Sequence, residues 1–494
     1  MMSPCPPGER PNGARSREPR PPVFREEPLS ADLVIASNRG PLSLVRDEDG
    51  RLVSGHAAGG LAPSLARALE GRSAVWVAAA MSTAEHEAAA RHLPIETDGG
   101  VQVRLVEVSP ETFGAAYRVV ANGTLWFLYH GMFDRVYRPV FDRHFYEAWD
   151  GYRSYNESFV DVIEQVAADG ATVVVNDYHL ALVGSALAAR RPDLRTVHFA
   201  HTPFCSPEEL AVLPRSVATE LIDGLSSFGV VGFHTERWVE AFRRCTTALD
   251  VDAPRLVAIP LGVDAAELHR RSESHETAKR RDELISRLDG RKYVFRSDRV
   301  EPSKNVVRGF LAFEEVLEGD AALRENVVFG ARLYPSREEL PEYLAYRSAI
   351  ERAAQRINNR FATGSFTPIE LEIADDLDAS LVGLSVADVI LVNPLRDGMN
   401  LVAKEGPIVN QKNGVLILST EAGAFEQLGE ESLAVEPYDV HGTAAALRRA
   451  LELPASERRA RAARLSTLAS VRPPTEWLTE VVASAKRAKP AGSG

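Results

Sequence analysis

Asn393-Pro394-Leu395-Arg396-Asp397-Gly398-Met399-Asn400-Leu401-Val402-Ala403-Lys404-Glu405 is the stretch on which the reading of this chain turns. The apolar run 389–392 before it has the length and composition of a buried parallel strand. Good helix formers follow. Strand, tight glycine turn and helix start together present unpaired backbone N–H groups and the positive end of a helix dipole to an anion. Asp397 lies before the turn, and Glu405 lies about two helical turns after it. A phosphate cradle flanked by carboxylates suits a nucleotide-sugar better than a bare phosphate, because sugar and ribose hydroxyls need acceptors. An ordinary βα turn in an α/β sheet has no need of all three features.

Outward from that stretch, strand-like and helix-like segments alternate. In the first half the strand-like runs are 33–37, 74–79, 172–175, 196–200, 229–233 and 257–260, with amphipathic stretches such as 155–167 and 236–244 between them. In the second half a similar series runs through 293–296, 306–317, 327–331, 343–356, 387–392, 414–418 and 433–435. Alternation of this kind predicts an α/β protein of two doubly wound, Rossmann-like domains whose strand C-termini face one cleft. Residues 1–28, rich in Pro and Arg, are expected to be a disordered tail. Residues 29–265 are expected to form the first domain and 266–470 the second, with the charged segment 265–289 as the link. A last helix over 474–488, within a closing 471–494 segment, is expected to return to the first domain and fray at its end.

The bulk numbers narrow the function classes. A chain of 494 residues is too long for one core. Its 57 basic and 69 acidic residues give a net charge of −12, which argues against general binding to nucleic acid or anionic membranes. Cys5, Cys205 and Cys245 have no CxxC spacing, so they make neither a disulfide framework nor a zinc site, and they fit a reducing compartment. No apolar run reaches the ~18 residues needed to span a bilayer, and no signal-peptide core is present. A cytoplasmic protein is the expectation.

A second constellation lies at Ser297-Asp298-Arg299-Val300-Glu301-Pro302-Ser303-Lys304-Asn305. It follows one strand and precedes a helix, so Arg299 and Lys304 emerge from the same strand end. Two adjacent cations are what a diphosphate leaving group needs as its bond to sugar breaks. Read alone, the loop is equally a surface turn with two solvated charges; the Asp397 turn gives it a shared cleft. There is no Gly-x-Gly-x-x-Gly after the first strand and no Walker sequence, so dinucleotide oxidoreductase and P-loop readings lose their support. The first half adds Ser37-Asn38-Arg39, Gly59-Gly60-Leu61, Asp177-Tyr178-His179 and His201-Thr202-Pro203-Phe204 at strand ends or a helix start. A single His at a strand end is more often structural than catalytic. Tyr117 and Trp126 flank a strand-like stretch and serve equally well as sugar platforms or core residues.

Together with Gly232-Phe233-His234-Thr235, these motifs resemble the trehalose-6-phosphate synthases, glycosyltransferase family 20, in order from about residue 32 to about residue 488. The resemblance implies the two-domain GT-B architecture, no metal and no cofactor. It implies glucose transfer from a nucleoside-diphosphate glucose to glucose 6-phosphate, giving α,α-trehalose 6-phosphate. Carried over by position, Arg299 and Lys304 bind the donor diphosphate, with the Gly60 amide closing over it. Asp397 and the amides of Gly398, Met399, Asn400 and Leu401 hold glucosyl hydroxyls and the distal phosphate. Glu405 accepts from the ribose, and His201 contacts the transferred glucose near its 6-hydroxyl. Arg39, Tyr117, Trp126 and Arg337 gather around the acceptor phosphate, and Asp177 contacts the acceptor glucose. Arg299, Lys304, His201 and Asp397 are thereby the implied catalytic set.

The implied stereochemistry is retention by a front-face route, since neither the sequence nor the family identifies a carboxylate nucleophile beneath the anomeric carbon. Two departures stand out. Asn305 follows Lys304 where many relatives have Gly, and Gly406-Pro407 follows Glu405 in place of a continuing helix. They resemble a branch with guanosine donors and favour GDP-glucose slightly over UDP-glucose. Asn305 also occurs in cyclitol-coupling relatives. Glucosylglycerol-phosphate synthase is a further rival, and a silent sugar-phosphate-binding regulator is the reading from another class. No appended phosphatase domain is expected, and a homo-oligomer is compatible with the sequence.

Overall fold

The computed structural model describes residues 23–24, 30–55, 61–92, 94–97, 99–364 and 366–487, with side chains omitted at 24, 55 and 61–64. Gly59 and Gly60, nearly all of the 1–28 tail and the last seven residues lie outside that set.

Two sheets organise the chain. The first has nine strands, ordered Val23–Phe24, Ile95–Glu96, Gln102–Val106, Ala74–Ala79, Ala31–Ser37, Ala167–Asn176, Arg195–Phe199, Val230–Phe233 and Arg255–Ala258. All neighbours pair in parallel except around Ile95–Glu96, which runs antiparallel to both its partners. The second has six parallel strands, ordered Ile369–Ile373, Val327–Tyr334, Lys292–Arg299, Val389–Val392, Val415–Ser419 and Leu433–Val435.

Each sheet is buried on both faces, which is why its strands are nearly unbroken apolar runs. Along Ala31–Ser37, Val34 and Ala36 enter one core and Leu33 and Ile35 the other, as the two-residue period of a strand requires. In each sheet the chain order reverses beside the first strand of that domain. One reversal lies between Ala31–Ser37 and Ala167–Asn176, the other between Lys292–Arg299 and Val389–Val392. Crevices open at such reversals, beyond the strand C-termini. The four segments singled out by sequence leave these four strand ends: Asn38-Arg39, Asp177, the Arg299 to Lys304 loop and the Asp397 turn.

Two local expectations change, and a third is extended. The helix-prone segment 265–289 forms two helices, Ala265–Ser272 and His275–Leu288, with Leu284 and Leu288 buried in the core of the second sheet. One helical turn separates those leucines, so they form an apolar stripe that a bare link would expose. The stretch between Tyr117 and Trp126 is helical, not strand-like. Gly114–Leu125 is a π-helical segment continued by Trp126–Tyr129. Its β-branched residues mimic a strand, but Ala116, Val120, Ala121 and Leu125 share a core with the long Arg143–Val166 helix, and that packing overrides propensity. Finally, the helix after the Asp397 turn runs through Pro407, spanning Val402–Val409. Gly406 seats this helix closely on the strand beneath: a Cβ there would lie 2.8 Å from Ile390 Cδ1, whose tip would have to shift.

The last helix, Pro474–Lys486, lies against the first sheet, where Trp477 stacks edge-on to Phe199 at 4.7 Å and donates to the Ile259 carbonyl at 3.1 Å. Leu401 packs into a core on each side of the cleft.

Candidate functional site

The strand Lys292–Arg299 ends in a short 3-10 turn, Pro302–Lys304. Arg296, fully buried, braces it. Its guanidinium bonds Asp298 at 2.8 and 2.9 Å, Asn393 at 3.1 Å and the Lys304 carbonyl at 2.8 Å. That one side chain ties the cation loop to the strand end that launches the Asp397 turn. Asn305 follows with φ of 58°, a left-handed conformation that Gly or Asn adopts most readily. Its amide donates to the carbonyls of Asn393 and Pro437 at 3.0 and 2.6 Å. Asn305 is therefore a buried backbone tie.

Lys304 Nζ lies 2.5 Å from Asp397 Oδ2, and Asn400 Nδ2 donates to the same oxygen at 3.1 Å. Burial opposes charge on both partners. The Asp397 carboxylate nevertheless raises the Lys304 pKa, and Lys304 lowers that of Asp397. Both stay ionised. Arg299 pairs through Nε with Glu301 at 2.9 Å, and its charge acts on both Lys304 and Asp397. Burial, the largest single influence, works against the Arg299 charge, but Glu301 together with Tyr334 and Tyr343 outweighs it and the pKa is raised.

The amides of Gly398, Met399, Asn400 and Leu401 meet no backbone or side-chain acceptor among the described residues. Asn400, at φ of 78°, turns the chain so that these amides crowd the start of the Val402–Val409 helix. Gly398 is there for closeness: a Cβ would lie 2.0 Å from the His201 carbonyl oxygen, on the opposite lobe. Further along, Glu405 has no cationic partner among the described residues, and burial lifts its pKa to about 7. Lys404 is buried too; its Nζ donates to the Leu261 carbonyl at 2.7 Å, and burial lowers its pKa to about 7.

Across the cleft Asp177 has φ of 67°, a strained conformation for a non-glycine residue, and its Oδ1 accepts the His201 amide at 2.8 Å. The His201 ring is already engaged, with Nε2 3.0 Å from Asn176 Oδ1 and Nδ1 3.1 Å from His234 Nε2. Burial lowers its pKa. What His201 turns toward the Asp397 turn is its backbone carbonyl.

The remaining predicted residues form a cationic, aromatic pocket. Arg337, at φ of 48°, crosses from the second lobe to the Tyr178 hydroxyl at 2.9 Å, bonds Tyr343, and lies over the Trp126 ring at 5.1 Å. It makes no ion pair with a carboxylate among the described residues. Tyr117 stacks on His179 at 5.7 Å, and His179 stacks on Tyr178 at 4.2 Å. Burial first, then the charges of Arg337 and Arg39, lower the His179 pKa. His179 Nε2 and Asn122 Nδ2 are buried without partners among the described residues, as polar atoms awaiting a polar ligand would be. Among the predicted site residues, Lys304 meets Asp397, the His201 carbonyl faces Gly398, Asp177 holds the His201 amide, and Arg337 lies over Trp126. Gly60 lies outside the described residues.

The family can now be named. A model of glycosyltransferase family 20 matches residues 31–487. The chain belongs to glycosyltransferase family 20. The trehalose-6-phosphate synthase of Mycolicibacterium vanbaalenii is 34% identical over 467 residues, covering 89% of this chain and 93% of that protein. Among family structures, one from E. coli bound with UDP-2-fluoro glucose aligns at a TM-score of 0.80 and 27% identity, over 93% of this chain and 99% of that one. A Burkholderia xenovorans α,α-trehalose-phosphate synthase (UDP-forming) in complex with glucose-6-phosphate aligns at 0.79 and 30% identity, over 92% and 99%.

Several residues of this family 20 site escape sequence reasoning. Arg396 crosses the cleft to Glu209 at 3.0 Å, Arg237 reaches the Thr420 carbonyl at 2.8 Å, and the Trp238 indole donates to the Gly398 carbonyl at 3.2 Å. Their partners are far away in sequence, so no local pattern marks them. Glu301 was legible in principle, as an acid between two cations. Among the described residues no helix is long and apolar enough to cross a membrane, and no cluster of three His, Cys, Asp or Glu side chains could hold a metal.

Proposed function

We propose that this chain transfers glucose from a nucleoside-diphosphate glucose to glucose 6-phosphate, making α,α-trehalose 6-phosphate and free nucleoside diphosphate. The observation that carries the reading is the contact of Lys304 with Asp397 beside four amides unpartnered among the described residues, at the sheet reversal, with Arg337 of the same lobe reaching across the cleft to Tyr178. Arg299 and Lys304 take the diphosphate. The amides of residues 398–401 take the distal phosphate and, with Asp397, the glucosyl hydroxyls. Glu405 takes the ribose. Arg337, Arg39, Tyr178 and Tyr117 take the acceptor phosphate, and Asp177 an acceptor hydroxyl.

Asp397 is committed to Lys304 and Asn400, which makes it a poor covalent nucleophile. Retention then follows the front-face route. The departing phosphate oxygen accepts the proton of the attacking hydroxyl, and the clamp cations offset its growing charge. Catalysis rests on positioning and on a field already in place.

The donor base is uridine or guanosine. Asn305 and Gly406-Pro407, which favour guanosine by resemblance, have backbone explanations in the fold, and UDP-forming relatives make UDP-glucose the first donor to try. The deciding experiment measures nucleoside-diphosphate release while crossing UDP-, GDP- and ADP-glucose with glucose 6-phosphate, glycerol 3-phosphate and no acceptor. Release only with glucose 6-phosphate is expected. Release with glycerol 3-phosphate alone moves the chain to the glucosylglycerol-phosphate synthases, and silence throughout leaves a sugar-phosphate-binding regulator.

A further inference from the structure

Between the two cations of the clamp sits a carboxylate that glucosyl transfer does not itself require. Glu301 is 1% exposed, and its Oε1 lies 2.9 Å from Arg299 Nε. Its other contacts are the Ser336 hydroxyl at 3.4 Å and the Ser303 hydroxyl at 3.5 Å, both at the limit of hydrogen bonding. Arg299 is its one strong partner. Ser303 and Ser336 immediately precede Lys304 and Arg337, so the carboxylate touches the loops of both phosphate-binding cations. Burial pushes the Glu301 carboxyl up, but Arg299, Arg337, Lys304 and His130 together hold it below its usual range, so it is ionised.

This arrangement has two consequences of opposite sign. The ion pair at Nε holds the guanidinium beside Glu301 and leaves its two terminal nitrogens without a protein acceptor among the described residues. A guanidinium held this way offers a fork to a phosphate. The charge, however, weakens the clamp. A negative group beside Arg299 in a partly dry cleft repels any phosphate that Arg299 binds. With Asp397 on Lys304, each clamp cation carries its own acid.

We propose that Glu301 is a positioning residue that moderates the clamp: it aims Arg299 at the diphosphate while competing for it, so that the nucleoside-diphosphate product is released. The inference rests on the donor-site reading given above.

Glu301→Gln separates the two effects, since Gln keeps an oxygen for Arg299 Nε and removes the charge. UDP and GDP are titrated calorimetrically into wild-type and variant full-length protein, alongside steady-state kinetics. E301Q is expected to bind the nucleoside diphosphate about tenfold tighter, with stronger product inhibition and a lower kcat at a reduced donor KM. A role in local structure alone would loosen nucleotide binding. If the Gln variant does not fold, Glu301→Asp carries the test, because it withdraws the charge from Arg299 by one methylene. It is expected to bind about two- to threefold tighter. Unchanged or weaker nucleoside-diphosphate binding in the variant that folds overturns the proposal. Wild-type protein that binds neither nucleotide overturns the donor-site reading, and this inference falls with it.

Discussion

Glu405→Gln should make the free protein more stable and the enzyme worse. Glu405 is a part-buried carboxylate with no cation beside it, and burial alone lifts its pKa from 4.5 to about 7. Between those values the folded chain keeps a proton that the unfolded chain has released. Stability therefore falls as pH rises through this window, and the full cost stands above pH 7. At about 1.4 kcal/mol for each tenfold in proton affinity, the cost is about 1 kcal/mol at pH 5 and about 3 kcal/mol at pH 8. Gln has no proton to lose, so the variant should gain that difference. The assay is thermal unfolding of wild type and variant, with no ligand, at pH 5, 6.5 and 8. The melting-temperature gap should widen steadily toward pH 8. In the same preparation the donor KM should rise about tenfold or more, because ribose hydroxyls lose a charged acceptor worth about 1.5–3 kcal/mol. A gap that stays constant with pH, or shrinks, would refute the reasoning about an unpaired carboxylate. A donor KM left unchanged would refute the ribose assignment.

Three further outcomes follow from the same geometry. Arg299→Ala should lower kcat about 10²- to 10³-fold, the usual cost of losing one charge-stabilising group; wild-type turnover contradicts its place in the clamp. Arg337→Ala should raise the glucose 6-phosphate KM at least about tenfold with little change in donor KM, read from kinetics with each substrate varied in turn. At position 305, Gly and Val should both lower the melting temperature, because either leaves two backbone carbonyls without their donor, and Val should lower it further. The left-handed conformation costs a β-branched residue about 1–2 kcal/mol more; a Val variant as stable as the Gly variant would show that the turn relaxes.

The architecture was legible because its signals are local. An apolar run such as 389–392 reads as a strand because both faces of the sheet are covered, and five of the six strands of the second sheet lie at or near the runs picked out by pattern, the edge strand Ile369–Ile373 being the one missed. The Asp397 turn was legible for the same reason, since strand, glycine and helix start are consecutive. Pattern failed where one segment answers to two environments. Residues 117–126 carry a strand's residue types, yet they lie beside the Arg143–Val166 helix, and burial decides their conformation. The charged segment 265–289 conceals two leucines that matter only once a second surface is present.

The sequence alone determined the α/β class, the two lobes, and the loops that bring cations and carboxylates to strand ends, because strand pattern and turn chemistry act over a few residues. Which charges meet was decided by tertiary structure. Arg296 joins two loops 97 positions apart, Trp238 reaches Gly398 over 160, and Arg337 reaches Tyr178 over 159. Burial, which sets the protonation of Glu405 and keeps the Lys304–Asp397 pair out of bulk water, likewise exists only after the lobes have folded and met. Such contacts depend on distances through space, and a linear chain does not encode them in any short window.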